Sequence, residues 1–375
     1  MTSDVLIIGG GVIGLSVGRE LHKKGVRQIT LVDKSVCGEE ASWAAAGMLG
    51  PQAEAERGGA FFDLCCASRD IFPKLADDLF DETGIDIELM RNGTLYLAFS
   101  DEDSAHLQKR FDWQSRARLP VEGLSADDAR RAEPLISPDI REALFFSNDW
   151  QVENRKLLAA LRRYAELNGT QIVENCSVKS LIVESGRVIG VKTNDGVIHA
   201  GKTVLTTGAW TSFIKLASCE TPIRVEPVRG QIIAFQIDEQ MFRHVIYSRN
   251  GYIVPRMDNR ILAGSTTEYV GFDKSTTDDA AQDLHAMAVR IAPRIGEFNI
   301  TDQWSGLRPF TGDGLPMIGR LAGIDDLFIA TAHYRNGILL APVTAKIVAD
   351  EIVDGVNATD IKTFSPNRFT FAANG

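Results

Sequence analysis

Eleven residues near the start, Asp4 to Gly14 (Asp-Val-Leu-Ile-Ile-Gly-Gly-Gly-Val-Ile-Gly), constrain this chain more than any other stretch. Val5, Leu6, Ile7 and Ile8 form a short, mostly β-branched run suited to a central parallel strand buried on both faces. Gly9, Gly11 and Gly14 follow at the spacing G-x-G-x-x-G. Each glycine has its own duty: a tight turn at Gly9, approach of backbone to a pyrophosphate at Gly11, and close packing of helix on strand at Gly14. The pyrophosphate is then held at a helix N-terminus, where free N–H groups and the helix dipole both favour an anion. The pattern predicts a helix over residues 12–24, stopped by Gly25, and a second strand over 29–32. Asp33 ends that strand 19 residues beyond Gly14, the spacing of a carboxylate that accepts hydrogen bonds from an adenosine ribose. Glycine triplets alone are weak signals, but strand, triplet, helix, strand and acid in this order point to a dinucleotide site. Asp33 taken singly reads equally well as a strand-end cap.

With 375 residues, 44% apolar and 24% charged, the chain can fold as two domains, or as one with insertions, and can hold a core without disulfides. A formal net charge of -10 and the absence of any basic cluster argue against nucleic acid as a partner. Cys37, Cys65, Cys66, Cys176 and Cys219 are scattered and include no C-x-x-C pair, and the six histidines show no i,i+4 pairing, so neither a disulfide framework nor a metal site is indicated. Unpaired cysteines and an opening strand in place of an apolar leader fit a cytoplasmic location. No run of 18 apolar residues suggests a membrane span.

Residues 41–50, Ala-Ser-Trp-Ala-Ala-Ala-Gly-Met-Leu-Gly, read either as a close-packed helix start or as backbone lining a bulky planar group; the preceding fingerprint favours the second. Residues 60–80 have the apolar spacing of one amphipathic helix, 92–99 form a strand after an Asn-Gly turn, and 101–131 read as a polar helical excursion into solvent. A helix over 154–168 precedes strands at 171–174, 178–184 and 188–193, with hairpin turns at Ser185-Gly186 and Asp195-Gly196. The strand 203–207 ends at Gly208, a second place where backbone can approach a ligand, and marks the resumption of the first domain after an insertion. Longer alternating strands at 230–237, 251–255 and 261–264 predict an antiparallel sheet with one face in water, followed by a helix over 278–291. The strand 327–331 then leads into His333-Tyr334-Arg335-Asn336-Gly337 and a helix over 338–352.

This second strand-to-helix turn puts another helix N-terminus where it can face the cofactor. Two-electron reduction of a flavin leaves negative charge near N1 and O2, which a positive helix end stabilises; a nicotinamide gathers no such charge. Two helix N-termini, one for the pyrophosphate and one for the ring, therefore favour FAD. Arg308 and Arg335 each read either as a planar fork for a substrate carboxylate or as a partner of one of the 50 acidic residues. Tyr252 reads either as an inward hydrogen-bond donor or as strand core. His333 receives no acid or base role.

Residues 9–14, Ala-Ala-Ala-Gly-Met-Leu-Gly at 44–50, Tyr-Ile-Val-Pro-Arg at 252–256, Gly-Leu-Arg-Pro at 306–309 and Arg-Asn-Gly-Ile-Leu-Leu-Ala-Pro at 335–342 together resemble the glycine oxidases, flavoproteins of the D-amino acid oxidase family, over nearly the whole chain. The resemblance implies an α/β fold: a Rossmann-like FAD-binding domain (1–88, 150–222 and 304–365) with an inserted, mainly antiparallel α+β substrate domain (89–149 and 223–303), and a loosely held tail at 366–375. It implies oxidation of a small amino acid to its imine by hydride transfer from Cα to flavin N5, hydrolysis to the oxo acid, and reduction of oxygen to hydrogen peroxide. By motif, Arg308 matches the arginine that pairs with the substrate carboxylate, Tyr252 the active-site tyrosine, and Arg335 a second arginine in the site. Val12, Ile13, Asp33, Lys34, Ala41, Ser42, Ala46, Gly47, Met48, Val178 and the turn His333, Tyr334, Arg335, Asn336, Gly337, Ile338 and Leu339 match FAD-contacting positions, beside the glycines and Gly208. Where glycine oxidases place a histidine two residues before the tyrosine and a methionine after the next turn, this chain has Asn250 and Thr267, so these two positions are assigned to the substrate pocket. Preference among glycine, sarcosine and small D-amino acids stays open.

Related enzymes bond FAD covalently through a histidine in Ser-Trp-His-Ala-Ala-Gly or a cysteine near the C-terminal turn. Ala44 stands at the first place and no cysteine follows Cys219, so non-covalent FAD is expected. The main alternative is a dehydrogenase of the same family with another electron acceptor. A flavin-binding regulatory module would leave two arginines and a tyrosine without a use, and an NAD enzyme would be colourless. The resemblance also suggests a link to thiamine thiazole synthesis, and self-association is left open.

Overall fold

The strand Thr2–Ile8 lies inside a nine-stranded sheet, paired in parallel with Ile29–Val32 on one side and Val197–Leu205 on the other, with Ile8 opposite both Val32 and Leu205. The structure, a computed structural model, describes residues 2–216, 223–356 and 359–369; Cys219 lies outside them. Val5 and Ile7 pack beneath the helices Val12–Lys23, Asn154–Leu167 and Gly337–Val353, whereas Leu6 and Ile8 face Leu181, Val188 and Val191 of the hairpin formed by Val178–Glu184 and Arg187–Thr193. Cover on both faces is why this strand is continuously apolar rather than alternating. Gly25, at φ +91°, ends the first helical segment as expected.

Two expected elements differ. The single helix over 60–80 is two helices, Ala60–Arg69 and Phe72–Thr83, because Pro73 has no N–H to donate and fits only the first turn of a new helix. The stretch 101–131 is no solvated excursion: the helix Asp101–Arg116 buries Arg110 and Gln114, and Glu122–Ser125 is the edge strand of a second sheet.

That second sheet has eight strands in the order Ile300–Phe310, Glu226–Gln236, Arg260–Gly264, Gly251–Pro255, Val245–Ser248, Thr94–Ala98, Glu142–Phe146, Glu122–Ser125. It is antiparallel except where Val245–Ser248 meets Thr94–Ala98. The expected wet face is absent from its centre. Ile233, Phe235, Ile253 and Ala263 pack on Leu284, Met287 and Ile291 of the helix Asp278–Ile291, while Ile232, Ala234, Tyr252 and Val254 face the segment that carries Ala44, Ala46 and Ala53. The period of two sends alternate residues to the two faces, and each face meets an apolar partner. The strand Ile300–Phe310 pairs along its length with Glu226–Gln236, so the chain leaves this sheet after Phe310 rather than at residue 304. The first part of the expected loose tail is held, since Arg368 pairs with Asp313 at 2.7 Å; residues 370–375 lie outside the described residues.

Arg256, just past Gly251–Pro255, ties the second sheet to the backbone of residues 46 and 152. Its Nη1 donates to the Val152 carbonyl at 2.8 Å, its Nη2 to the Ala46 carbonyl at 2.9 Å, and its Nε lies 3.2 Å from Glu153. The side chain is 2% exposed. Glu153 keeps Arg260 at 3.2 Å, but the buried Ala46 and Val152 carbonyls lose their side-chain donor, so Arg256→Met should lower stability by about 2–5 kcal/mol, measured as a fall in the thermal or urea midpoint of the purified protein.

His333 is buried between the strand Leu327–Thr331 and the last helix, where its Nε2 lies 3.0 Å from Thr344 Oγ1. Burial pushes its pKa from the ordinary 6.5 down to about 3. The folded chain then binds fewer protons at this site than the unfolded chain between those values. The stability contribution of the neutral ring is complete above pH 6.5 and is lost as pH falls toward 3. His333→Gln, followed by the urea midpoint against pH, should flatten the decline below pH 6.5 by at most about 1.4 kcal/mol per pH unit.

Candidate functional site

One cavity lies between the C-terminal ends of the parallel strands and the inner face of the second sheet. Open α/β sheets bind ligands at these strand ends. At one end is the glycine turn. Gly9 has φ +107°, and a Cβ there would lie 2.5 Å from the Thr206 carbonyl oxygen; a Cβ on Gly14 would lie 2.0 Å from the Gly9 carbonyl oxygen. A Cβ on Gly11 would meet only Ser42 Oγ, at 3.2 Å, so of the two glycines that line the cavity, Gly9 and Gly11, Gly11 has the more open space beside it.

The helix that follows has no side-chain cap at its N-terminus and no acid in its first turn; the Val12 amide donates to Ser42 Oγ at 3.1 Å. The helix Gly337–Val353 likewise starts with neither cap nor acid. Val12, Ile13, Asn336, Gly337 and Ile338 all line the cavity, so two positive helix ends open on one space. Asp33 also lines it, with one carboxylate oxygen accepting from the Gly10 amide at 2.7 Å and the other from the Ser35 amide at 2.9 Å. The carboxylate thus braces the glycine turn as well as facing the cavity. Lys34 pairs with Glu40 at 2.6 Å, its ammonium 3.8 Å from the centre of the Trp210 ring. Ala41, Ser42, Ala46, Gly47, Met48, Val178, Gly208, His333 and Tyr334 complete the lining named from sequence. At Gly47 the φ is +68° and a Cβ would lie 2.1 Å from the Val152 carbonyl oxygen, so this backbone can be approached only by a glycine. Gly14 and Leu339 stand behind the wall, in packing.

At the other end Tyr252, Arg308 and Arg335 come together. The Arg308 guanidinium lies over Gly230, where a Cβ would sit 2.1 Å from it, and donates to the Thr266 carbonyl at 3.0 Å and to Ser265 Oγ at 2.7 Å. Burial, with the neighbouring Arg335 charge, moves its pKa down from the ordinary value, but a guanidinium starts so high that it stays a cation. No carboxylate lies within ion-pair distance of it among the described residues. Arg335 differs: its Nε is 3.5 Å from Glu54, whose charge raises its pKa.

Asn250 and Thr267 do not join the cavity. Both are exposed, Asn250 in the turn between Val245–Ser248 and Gly251–Pro255, Thr267 in the loop after Arg260–Gly264. The hairpin turn takes Asn250 out of the strand alternation that turns Tyr252 inward. The places beside Tyr252 and Arg308 belong instead to Tyr247, Glu54 and Ser265, which sequence reasoning missed. Tyr247 is directly opposite Tyr252 across the hairpin, their ring centres 5.5 Å apart, and donates to Glu54 at 2.8 Å. Its strand has only four residues, too short to stand out; Glu54 lies just past the small-residue run, where a polar residue after Gly50 was the available signal.

These residues fit FAD. The glycine turn leaves backbone room for the pyrophosphate, and the uncapped helix end at 336–338 is available to the polar edge of the ring. Residues 4–351 match the family described as DAO, FAD dependent oxidoreductase. The chain is 33% identical over 368 residues to the glycine oxidase of Pseudomonas putida, covering 98% of this chain and 99% of that one. It is 34% identical to the bifunctional protein ThiO/ThiG of Trichormus variabilis, covering 98% of this chain and 55% of that protein. The fold superposes on the crystal structure of glycine oxidase from Geobacillus kaustophilus with a TM-score of 0.91 at 33% identity, covering 98% of this chain and 99% of that chain. Matches of this length and identity make the chain a member of the DAO family of FAD-dependent oxidoreductases.

Proposed function

We propose that this chain oxidises glycine and similarly small amines or amino acids, sarcosine and small D-amino acids among them, to the oxo acid, ammonia or an amine, and hydrogen peroxide. The observation that carries the reading is Arg308: a guanidinium at the end of the cavity whose protein acceptors, the Arg229 and Thr266 carbonyls and Ser265 Oγ, are all neutral, with no anionic partner among the described residues. A substrate carboxylate supplies the missing charge and accepts a planar fork. FAD, when bound, supplies the two-electron acceptor. Gly11, Val12 and Ile13 would hold its pyrophosphate and Asp33 its ribose. Arg308 then fixes one end of the substrate, and Tyr252 and Tyr247 wall the same end of the cavity beside it, so that much of the acceleration comes from orientation and exclusion of water. Burial raises the pKa of Tyr247, which keeps its phenol protonated and a donor to Glu54.

The same reading divides the chain into a cofactor domain and an inserted substrate domain built around the second sheet, and places it in the cytoplasm, supported by the four described cysteines being unpaired. No helix among the described residues is long and apolar enough to cross a membrane. The similarity to ThiO/ThiG supports a role in thiamine thiazole synthesis, which a gene deletion that leaves growth independent of added thiazole would contradict.

A panel of glycine, sarcosine, N-ethylglycine, D-alanine and D-proline, scored by peroxide release in air, tests the activity. Peroxide equal to substrate consumed is expected; flavin bleached without peroxide would mark a dehydrogenase. Arg308→Ala should raise KM about 10- to 150-fold with a smaller change in kcat, since charge-assisted hydrogen bonds are worth about 1.5–3 kcal/mol. With Ala44 at the place where relatives carry a flavin-linked histidine, acid precipitation should leave the yellow colour in the supernatant; a yellow pellet would mean covalent attachment.

A further inference from the structure

The charged side chains at the substrate end are two arginines and one carboxylate. Arg308 has no acid partner among the described residues, whereas Arg335 faces Glu54 at 3.5 Å and Glu54 also accepts from Tyr247 at 2.8 Å. The other carboxylates of the cavity, Asp33 and Glu40, are engaged at the glycine-turn end with backbone amides and Lys34. Two positive charges and one negative leave one positive charge for the substrate.

Glu54 is also held with unusual firmness. It ends the four-residue helix Pro51–Glu54. Asp149, fully buried, accepts from the Gln52 and Ala53 amides at 3.1 and 2.6 Å, and Arg110, 5% exposed, donates to the Gln52, Ala53 and Ala55 carbonyls at 3.1, 2.6 and 2.6 Å. Asp149 takes up amides at the start of this turn and Arg110 the carbonyls at its end. Buried side chains from two other elements thus fix the frame that presents one cavity-facing carboxylate.

We propose that Glu54 determines which acids the site accepts: by neutralising Arg335 it restricts the substrate to one carboxylate, held at Arg308, and turns away amines whose nitrogen substituent carries a second acid. The inference rests on Arg308 as the carboxylate anchor. A second carboxylate would meet Glu54 at close range, and like charges side by side repel.

The test uses acids that cannot be oxidised: methoxyacetate, the ether analogue of sarcosine, and oxydiacetate, its two-acid counterpart, titrated into the flavin-loaded protein and followed by flavin absorbance. The wild type should bind methoxyacetate at least about tenfold more tightly, Glu54→Gln should shrink or reverse that ratio by about tenfold or more, and Glu54→Asp should keep it. A wild-type ratio near one, or an unchanged ratio in Glu54→Gln, overturns the proposal. If Glu54→Gln does not retain flavin, Arg335→Gln decides: an unpaired Glu54 must widen the preference for methoxyacetate, and an unchanged ratio overturns it. Because binding is read directly, failure to oxidise any amine would sink the oxidase reading without touching this result.

Discussion

The two sheets can enclose a cavity only because one stretch rich in small residues, 41–50, lies between them at backbone contact distance. Gly306 admits this stretch, since a Cβ there would lie 2.6 Å from the Ala44 methyl, and the Trp304 indole N–H donates to the Ala44 carbonyl at 3.0 Å. Arg256 reaches across from the second sheet to the Ala46 carbonyl, and Val152 accepts from the same guanidinium. Backbone polar groups brought this close to a packed face must be paired, or their burial costs more than the packing returns. Arg256 and Trp304 meet that requirement, and in doing so set the position of the wall that carries Gly47 and Met48.

Charge follows from the same arrangement. Lining the cavity with the ends of parallel strands and helix N-termini gives it a positive bias, suited to a cofactor with a pyrophosphate and to an acid substrate. Each added cation then needs an answer. Lys34 has Glu40 and an aromatic face, Arg335 has Glu54, and Arg308 among the three has no acidic partner among the described residues. That asymmetry separates the two arginines, which look equivalent in a linear chain.

Several pieces of the fold were legible because they depend on local constraints. The glycine turn needs three residues without Cβ atoms at fixed intervals, and Gly9 and Gly14 could carry nothing larger against the Thr206 and Gly9 carbonyls. The strand Ile29–Val32, the helix Asp278–Ile291 and the strand Leu327–Thr331 have the bounds expected from pattern, because their apolar periods run unbroken between turn residues. Where one residue breaks a period, as Pro73 does, the apolar spacing alone misled.

The amino-acid sequence by itself determined a dinucleotide-binding α/β unit, a second unit of antiparallel strands, and the side chains Tyr252, Arg308 and Arg335 as candidates for the chemistry. Motifs carry this much because glycine, arginine and short β-branched runs have steric and hydrogen-bonding properties that hold wherever they stand. Only the tertiary structure decided that the second sheet is covered on both faces, that Asn250 and Thr267 point to solvent, and that Tyr247 and Glu54 join residues 252, 308 and 335 from positions up to 281 residues apart in the chain. Those outcomes depend on which faces meet across long separations, and no local period records the partner on the other side.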